Sequence, residues 1–452
     1  MQGKEIALGA AHAAVKAALE LGAKQAEARF ESTSDYLTRF ANSVIHQNVG
    51  EHDASLVLRT VLGKRVSTVG SGDLSPEGIN KLAQQGHNIA RVLEEDPDFT
   101  SLPEPQPVKA LQGLYFAETA DCTPETRAEM VGTLISEAHA LSPKVREVSG
   151  AFNLSSFELG IANSLGIEAY SKATLASFNT TVISRDAGVE GFGTAEDASR
   201  DIRDLKPALV GKEAGERAVG SLHARSIDVG EYPVIFEPYA VAGALGYLSS
   251  GFSAQSYQYG TSWMNDLIGQ KVFSDEFTIW DDGRDQAGLP FPFDFEGIPK
   301  RKLVLIEGGV PKSIVYDSYT AHKDGEKSTG HAGERGGGAA NGFLKLGNST
   351  KEEMIADTKN GVLVTNFWYV RVVHAKRMVV TGMTRDGTWL IQDGEVKYPV
   401  RNFRFTDSLL KTFANIDLVG REGKRIPRGK YGGVLVPALK TKTFLFTGQT
   451  QY

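Results

Sequence analysis

Residues 378–405 read MVVTGMTRDGTWLIQDGEVKYPVRNFRF, and their alternation decides the fold class. Apolar and polar side chains change places at nearly every step, the period of a strand with one buried face. Asp386-Gly387 and Asp393-Gly394 are the dipeptides that favour two-residue hairpin turns, where both central positions take positive φ. Both are expected to be turns between antiparallel strands. Outward from this stretch the same grammar continues. Residues 302–318, KLVLIEGGVPKSIVYDS, predict a hairpin around Gly308-Gly309, and 435–448, LVPALKTKTFLFTG, another strand or pair. Helices are expected at 261–268, 350–358 and 406–413. A further one, apolar nearly all round and so expected to be buried, follows the short strand Val234-Ile235-Phe236 and the Glu237-Pro238 break.

The first half has a different rhythm. An Ala-rich amphipathic helix is expected at 3–21, with Gly22 as its stop. Strands follow at 25–33, 37–48, 53–61 and 64–70. Ser75-Pro76 and Thr123-Pro124 each place a capping hydroxyl before a first-turn proline, so helices start there. Between them Pro103, Pro105 and Pro107 mark an extended connector. Strands dominate 145–193, where Ser, Asn and Thr alternate with apolar residues and predict a sheet with one wet face. A charged helical region at 196–222 closes this half. The fold class is α+β: an N-terminal α/β-sandwich-like domain over 1–225 and a β-rich C-terminal domain with a few helices over 226–452.

Composition excludes some functions. The 452 residues are 41% hydrophobic and 23% charged, with a net charge of −6. That balance argues against a general nucleic-acid or membrane-surface binder, which needs a basic face. No uncharged apolar run approaches the length of a membrane span, and the N-terminus lacks the order of a signal peptide, so a cytoplasmic protein is expected. Cys122 is the sole cysteine, which rules out an intrachain disulfide and a multi-cysteine metal site. At a helix start its thiol could be activated, but a lone connector cysteine is more often inert.

Three places could carry chemistry. The histidines are scattered, and no helical pair with a nearby Glu occurs; His331 and Glu334 alone do not make a metal site. Asp281-Asp282 could hold a cation but reads better as a turn after a strand. Gly336-Gly337-Gly338 lacks the pattern of a phosphate loop. It suits a flap along which a substrate backbone passes closely. His331, Arg335 and Asn341 are its polar members and the candidate substrate-lining residues.

The order of segments adds a resemblance. The stretches RFANSVIHQNVGEHDASLVLRTVLGKRVSTVGSGDLSPEGINKLAQQG (39–86), DLIGQKVFSDEFTIWDDG (266–283), EGIPKRKLVLIEGGVPKSIVYDSYTA (296–321), GNSTKEEMIADTKNGVLV (347–364) and GTWLIQDGEVKYPVRNFRFTDSLL (387–410) resemble the TldD/PmbA, or modulator-of-gyrase, family along nearly the whole chain. The resemblance implies a two-subunit metalloprotease in which the TldD-type chain carries H-E-x-x-x-H on a helix and a cysteine ligand near its C-terminus. By order along the chain, AVAGALGYLSS (240–250) stands where that helix should be, and it has neither the histidines nor the glutamate. Cys122 lies in the wrong half to replace the missing ligand. The chain therefore looks like the PmbA (TldE) type: no metal or cofactor of its own, zinc in a TldD-like partner, and peptides or unfolded segments as substrate. A stand-alone peptide-binding module is the alternative reading. A third is an enzyme of other chemistry using His331 with Arg335, or Asp281 and Asp282.

Overall fold

The structure is a computed structural model that describes residues 1–333 and 336–450. The first half contains α1 (Lys4–Glu20), α2 (Pro76–Val92), α3 (Ala117–Ala120), α4 (Pro124–Ala140) and α5 (Pro207–Gly220). Its strands are β1 (Gln25–Ala41), β2 (Val44–Leu62), β3 (Arg65–Ser71), β4 (Val145–Asn163), β5 (Glu168–Asp186) and β6 (Val189–Ser199). They form one antiparallel sheet in the order β3-β2-β1-β4-β5-β6. The caps work as the sequence predicts. Ser75 and Thr123 accept from the backbone N–H groups of Gly78 and Thr126, and proline occupies the first turn of α2 and α4.

The three strands expected at 25–33, 37–48 and 53–61 are instead two long ones, β1 and β2, and the chain turns between them at Asn42-Ser43, both with positive φ, inside the second expected segment. The helical region expected at 196–222 begins later, because β6 runs to Ser199 and α5 starts only at Pro207.

Parity along β4 shows how the sheet is used. Val148, Phe152 and Leu154, at even positions, pack with Val131, Leu134 and Ala138 of α4 and with Val210, Ala214 and Ala218 of α5. Phe157, Leu159 and Ile161, at odd positions, point to the other face. There they meet Leu289, Phe291, Phe293 and Ile298 from the second half. The expected wet face is thus a correction: from Leu154 onward β4 is almost wholly buried, because the other half of the chain covers it.

The second half contains α6 (Pro238–Leu248), α7 (Ala254–Gln258), α8 (Ser318–Asp324), α9 (Lys351–Ala356) and α10 (Leu409–Ala414). Its strands are β7 (Gly230–Phe236), β8 (Ile279–Asp281), β9 (Leu303–Glu307), β10 (Val310–Pro311), β11 (Ala332–Gly333), β12 (Gly336–Gly337) and β13 (Asn341–Leu344). They continue with β14 (Asn360–His374), β15 (Val379–Gln392), β16 (Glu395–Pro399), β17 (Phe403–Ser408), β18 (Ile416–Pro427) and β19 (Gly433–Gln449). The order β19-β17-β15-β14-β7 closes on itself, since β7 pairs with β14 on one side and with β19 on the other. Phe236, Phe367, Phe405, Phe444 and Phe446 cluster in this half, with ring centroids 4.7–5.5 Å apart for their closest pairs.

Two local expectations change here. Residues 261–268 form turns, not a helix. Asp393-Gly394 is a hairpin turn, but Asp386-Gly387 lies inside the continuous β15, at a bulge opposite Val364–Asn366. Gly387 has φ +126°, and a Cβ there would lie 2.0 Å from the Trp389 ring. The Asp-Gly pair supplies the positive φ that a bulge needs, so the same dipeptide serves a bulge as readily as a turn.

Candidate functional site

The sequence candidates His331 and Asn341 converge on one buried carboxylate, Asp281 at the end of β8. His331 Nε2 stands 3.1 Å from Asp281 Oδ1, both side chains about 1% exposed. The Asn341 backbone N–H donates to Asp281 Oδ2 at 2.7 Å, because β13 pairs with β8 there. His331 Nδ1 lies 2.9 Å from the Thr329 hydroxyl. With its amide oriented to satisfy both ends, the Asn341 side chain donates to Leu289 O and accepts from Lys300 Nζ, each at 3.0 Å. Burial pushes the Asp281 carboxyl up, but His331, Lys300 and the Asn341 N–H outweigh it and hold the group below the usual carboxylate range. Burial likewise pulls Lys300 below the ordinary lysine value, against the attraction of Asp281 and Asp294.

Asp281 is therefore a strand residue at the centre of a sealed polar cluster. It is not the exposed turn that the Asp281-Asp282 dipeptide suggested. The cluster anchors the glycine loop from beneath. Gly330, with φ +78°, passes so close to Pro299 that a Cβ would lie 2.4 Å from its carbonyl oxygen. The Ala332 N–H donates to Asp294 Oδ2, and the Gly338 N–H to the His331 carbonyl. Arg335 and Glu334 lie outside the described residues. Cys122, half-buried beside α4, has its thiol pushed up by burial against the pull of Arg127, the opposite of activation.

Open space lies elsewhere. A cleft of about 470 Å³ runs over α6, between Gly243 and Gly246 of that helix, Asn366 and Tyr369 of β14, and Ile426 and Arg428. One face of α6 is thus open: Gly246 is exposed and Gly243 half-buried, where the sequence predicted burial all round. The opposite face is core, through Val241, Ala244, Leu245 and Leu248. Arg428 donates to the Ala242 carbonyl at 2.8 Å and closes one wall. The Tyr239 hydroxyl accepts from the Glu196 N–H at 2.9 Å, and burial pushes the Glu196 carboxyl above its usual range.

The donor set over α6 does not suit a metal ion. From Pro238 to Leu248 no side chain is His, Cys, Asp or Glu. Among the described residues no three such side chains gather anywhere in a geometry that could hold an ion. The glycine, alanine and tyrosine that α6 turns to the cleft can accommodate a polypeptide backbone, and the one carboxylate lining it, Glu196, cannot hold an ion by itself.

Residues 229–448 match the PmbA/TldA metallopeptidase C-terminal domain, 118–222 the central domain and 26–90 domain 1 of the same family. The chain belongs to the PmbA/TldD family. Metalloprotease PmbA of Escherichia coli O157:H7 is 25% identical over 393 residues, spanning 86% of this chain and 85% of that protein. A metalloprotease TldD homolog of Buchnera aphidicola is 24% identical over 415 residues, 85% of this chain and 82% of that one. Both branches of the PmbA/TldD family are therefore similar to this chain. Among solved structures, TldE from Thermococcus kodakarensis superposes with a TM-score of 0.90 at 23% identity, covering 97% of this chain and 100% of its own. A Thermotoga maritima protein described as a modulator of a DNA gyrase gives 0.86 at 20%, covering 97% and 99%. These two likenesses establish a shared fold.

Proposed function

We propose that this chain is the non-zinc, PmbA/TldE-type subunit of a cytoplasmic two-chain metalloprotease. It helps form the chamber in which peptides or unfolded segments are bound. The observation that carries the reading is α6. In chain order it stands where the TldD-type metal helix is expected, yet it offers no donor atom to an ion and faces an open cleft. Zinc peptidases need ligands to hold the metal and a Glu to move protons. α6 supplies neither, and Glu196 is the one carboxylate lining the cleft beside it, too few donors to hold an ion, so zinc and the catalytic Glu come from a TldD-like partner.

The chain supplies surface: the cleft over α6 and the glycine loop, with Arg335 kept as the substrate-lining candidate, while His331 and Asn341, sealed beneath the loop at 3% and 2% exposure, position it and do not touch substrate. The domain division at about residue 225 belongs to the same reading, since β1–β6 and β7–β19 form separate sheets.

The test is to mix the purified chain with a TldD-like protein carrying H-E-x-x-x-H. An equimolar complex with zinc-dependent peptidase activity is expected, and the chain alone should hold no stoichiometric zinc and cleave nothing. Tight zinc with peptide cleavage by the isolated chain would overturn the reading. Peptide affinity in the isolated chain, with no complex and no cleavage in any mixture, would instead favour a stand-alone binding module.

A further inference from the structure

The hairpin of β14 and β15 carries an exposed strand edge. The outer side of β14 pairs with β7 only at Val362–Val364. Beyond that point no strand among the described residues pairs with it on that side; α6 packs against it around Phe367 and Val370, where the Tyr247 hydroxyl donates to the Val370 carbonyl, and from Arg371 onward it is exposed. An unpaired strand presents N–H and C=O groups to any strand that arrives. Soluble proteins usually blunt such an edge with polar side chains, yet this one exposes Trp368, Tyr369, Val372 and Val373, at 47%, 65%, 44% and 61%. Residues 371–377 are exposed without interruption. Two further irregularities, between Trp368 and Arg371 and between Val372 and His374, with Tyr369 at φ +57°, turn the strand locally.

Charge says what fits there. In a chain of net charge −6, no Asp or Glu occurs from Gly361 to Met383, while Arg371, Lys376 and Arg377 fall in that window; Arg385, just beyond it, pairs with Asp386 at 3.4 Å. The Arg371 guanidinium lies 5.0 Å from the Tyr369 ring centroid, and that of Arg385 lies 4.0 Å from the Trp368 ring centroid. The patch is apolar and cationic, and it borders the α6 cleft through Asn366, Tyr369 and Val370. Nucleic acid is the poorer match: the feature that most needs a partner is a strand edge with aliphatic side chains, and three arginines and lysines, Arg371, Lys376 and Arg377, make a small phosphate footprint. A polypeptide strand answers all three features at once, with main-chain bonds to the edge, apolar side chains on Val372 and Val373, and carboxylates toward the cations.

We propose that the outer edge of β14 from Asn366 to His374 is the docking surface for the partner subunit, which adds a strand bearing apolar and acidic side chains. This rests on the two-chain reading above. Docking there lays the partner along the rim of the α6 cleft and turns an open groove into an enclosed space.

The experiment uses the full chain and a TldD-like partner. Val372→Asp/Val373→Asp should weaken the complex by about tenfold or more, the loss expected when carboxylates replace central apolar contacts. Arg371→Glu/Arg377→Glu should weaken it too and flatten its dependence on salt. Leu209→Asp, at an exposed position on α5, should change nothing. Amide exchange in the wild-type complex should slow across 366–374. If the wild-type complex forms, the edge variants bind equally well and 366–374 gains no protection, the docking surface is wrong and the two-chain reading stands. If no complex forms with the wild-type chain, both fall. Loss of oligonucleotide binding in these variants, with partner binding intact, would reassign the patch to nucleic acid and overturn the proposal.

Discussion

Glu27 shows how much one buried side chain depends on a neighbour far along the sequence. It faces Arg59 at 3.4 Å, but Arg59 also binds Glu296 at 3.1 Å, and one guanidinium cannot neutralise two buried carboxylates. Burial, only partly offset by Arg59, pushes the Glu27 carboxyl up to about 7. Glu296 is otherwise well held, by the Ser318 N–H and hydroxyl at 2.8 and 2.6 Å. Folded Glu27 keeps its proton to about pH 7, whereas unfolded glutamate loses it near 4.5. Between those values the folded state binds the extra proton, so this residue makes stability fall as pH rises through that window. Melting temperatures measured between pH 5 and pH 8 should therefore decline less in Glu27→Gln than in the wild type; equal slopes would show that Glu27 is already ionised in the fold. Nothing near Glu27 in the sequence predicts this, because Arg59 and Glu296 are its neighbours only after folding.

The β15 bulge belongs to the scale of the element. The sequence correctly marks Asp386-Gly387 as a place of positive φ, with observed values of +60° and +126°. It does not say whether the chain reverses there. Reversal requires the flanking segments to pair with each other, and here each pairs elsewhere: residues 379–383 with β17, and 389–392 with β16 and β14. Gly387→Ala should destabilise the protein by ~2 kcal/mol or more, since its Cβ would strike the Trp389 ring and its φ suits glycine. Thermal unfolding checks this, and an unchanged midpoint would mean that the bulge can relax. Hairpins with local partners fared better. Gly308-Gly309 turns where the sequence says it does, because the strands it joins pair with each other. The caps at Ser75 and Thr123 were legible for the same reason, as each bond closes within three residues.

At the scale of the whole molecule the two halves are tied by polar groups inside an apolar seam. Arg200, 5% exposed, reaches out from the end of β6. Its Nη1 donates to the carbonyls of Thr174 and Lys430, and its Nη2 to those of Leu289 and Pro290. The guanidinium also lies over the Phe157 ring, 5.3 Å from its centroid. Lys430 to Asp35 and Tyr431 to Glu31 add ties across the same seam, at 2.8 and 2.7 Å. Arg200→Met leaves four carbonyls without this donor and should cost about 3 kcal/mol or more. Proteolysis with a non-specific protease should then cut faster near 222–230, the link between the sheets. If cleavage and melting are unchanged, the remaining contacts, the apolar packing of Phe291 and Phe293 and the Lys430 and Tyr431 ties, hold the seam without Arg200.

The sequence by itself determined what is local: the helix starts at Ser75 and Thr123, the hairpins with adjacent strands, the β-rich character of the second half and the missing donors on 238–248. Each follows from propensity, period or side-chain chemistry within a few residues. Tertiary structure alone decided the rest. It buried the sheet face that alternation marked as wet, drew His331 and Asn341 onto Asp281, and opened one side of an apolar helix to a cleft. It also left the outer edge of β14 beyond Val364 without a strand from among the described residues. All of these depend on which distant surface arrives to cover a face or an edge, and neither hydrophobic period nor dipeptide signal carries that information.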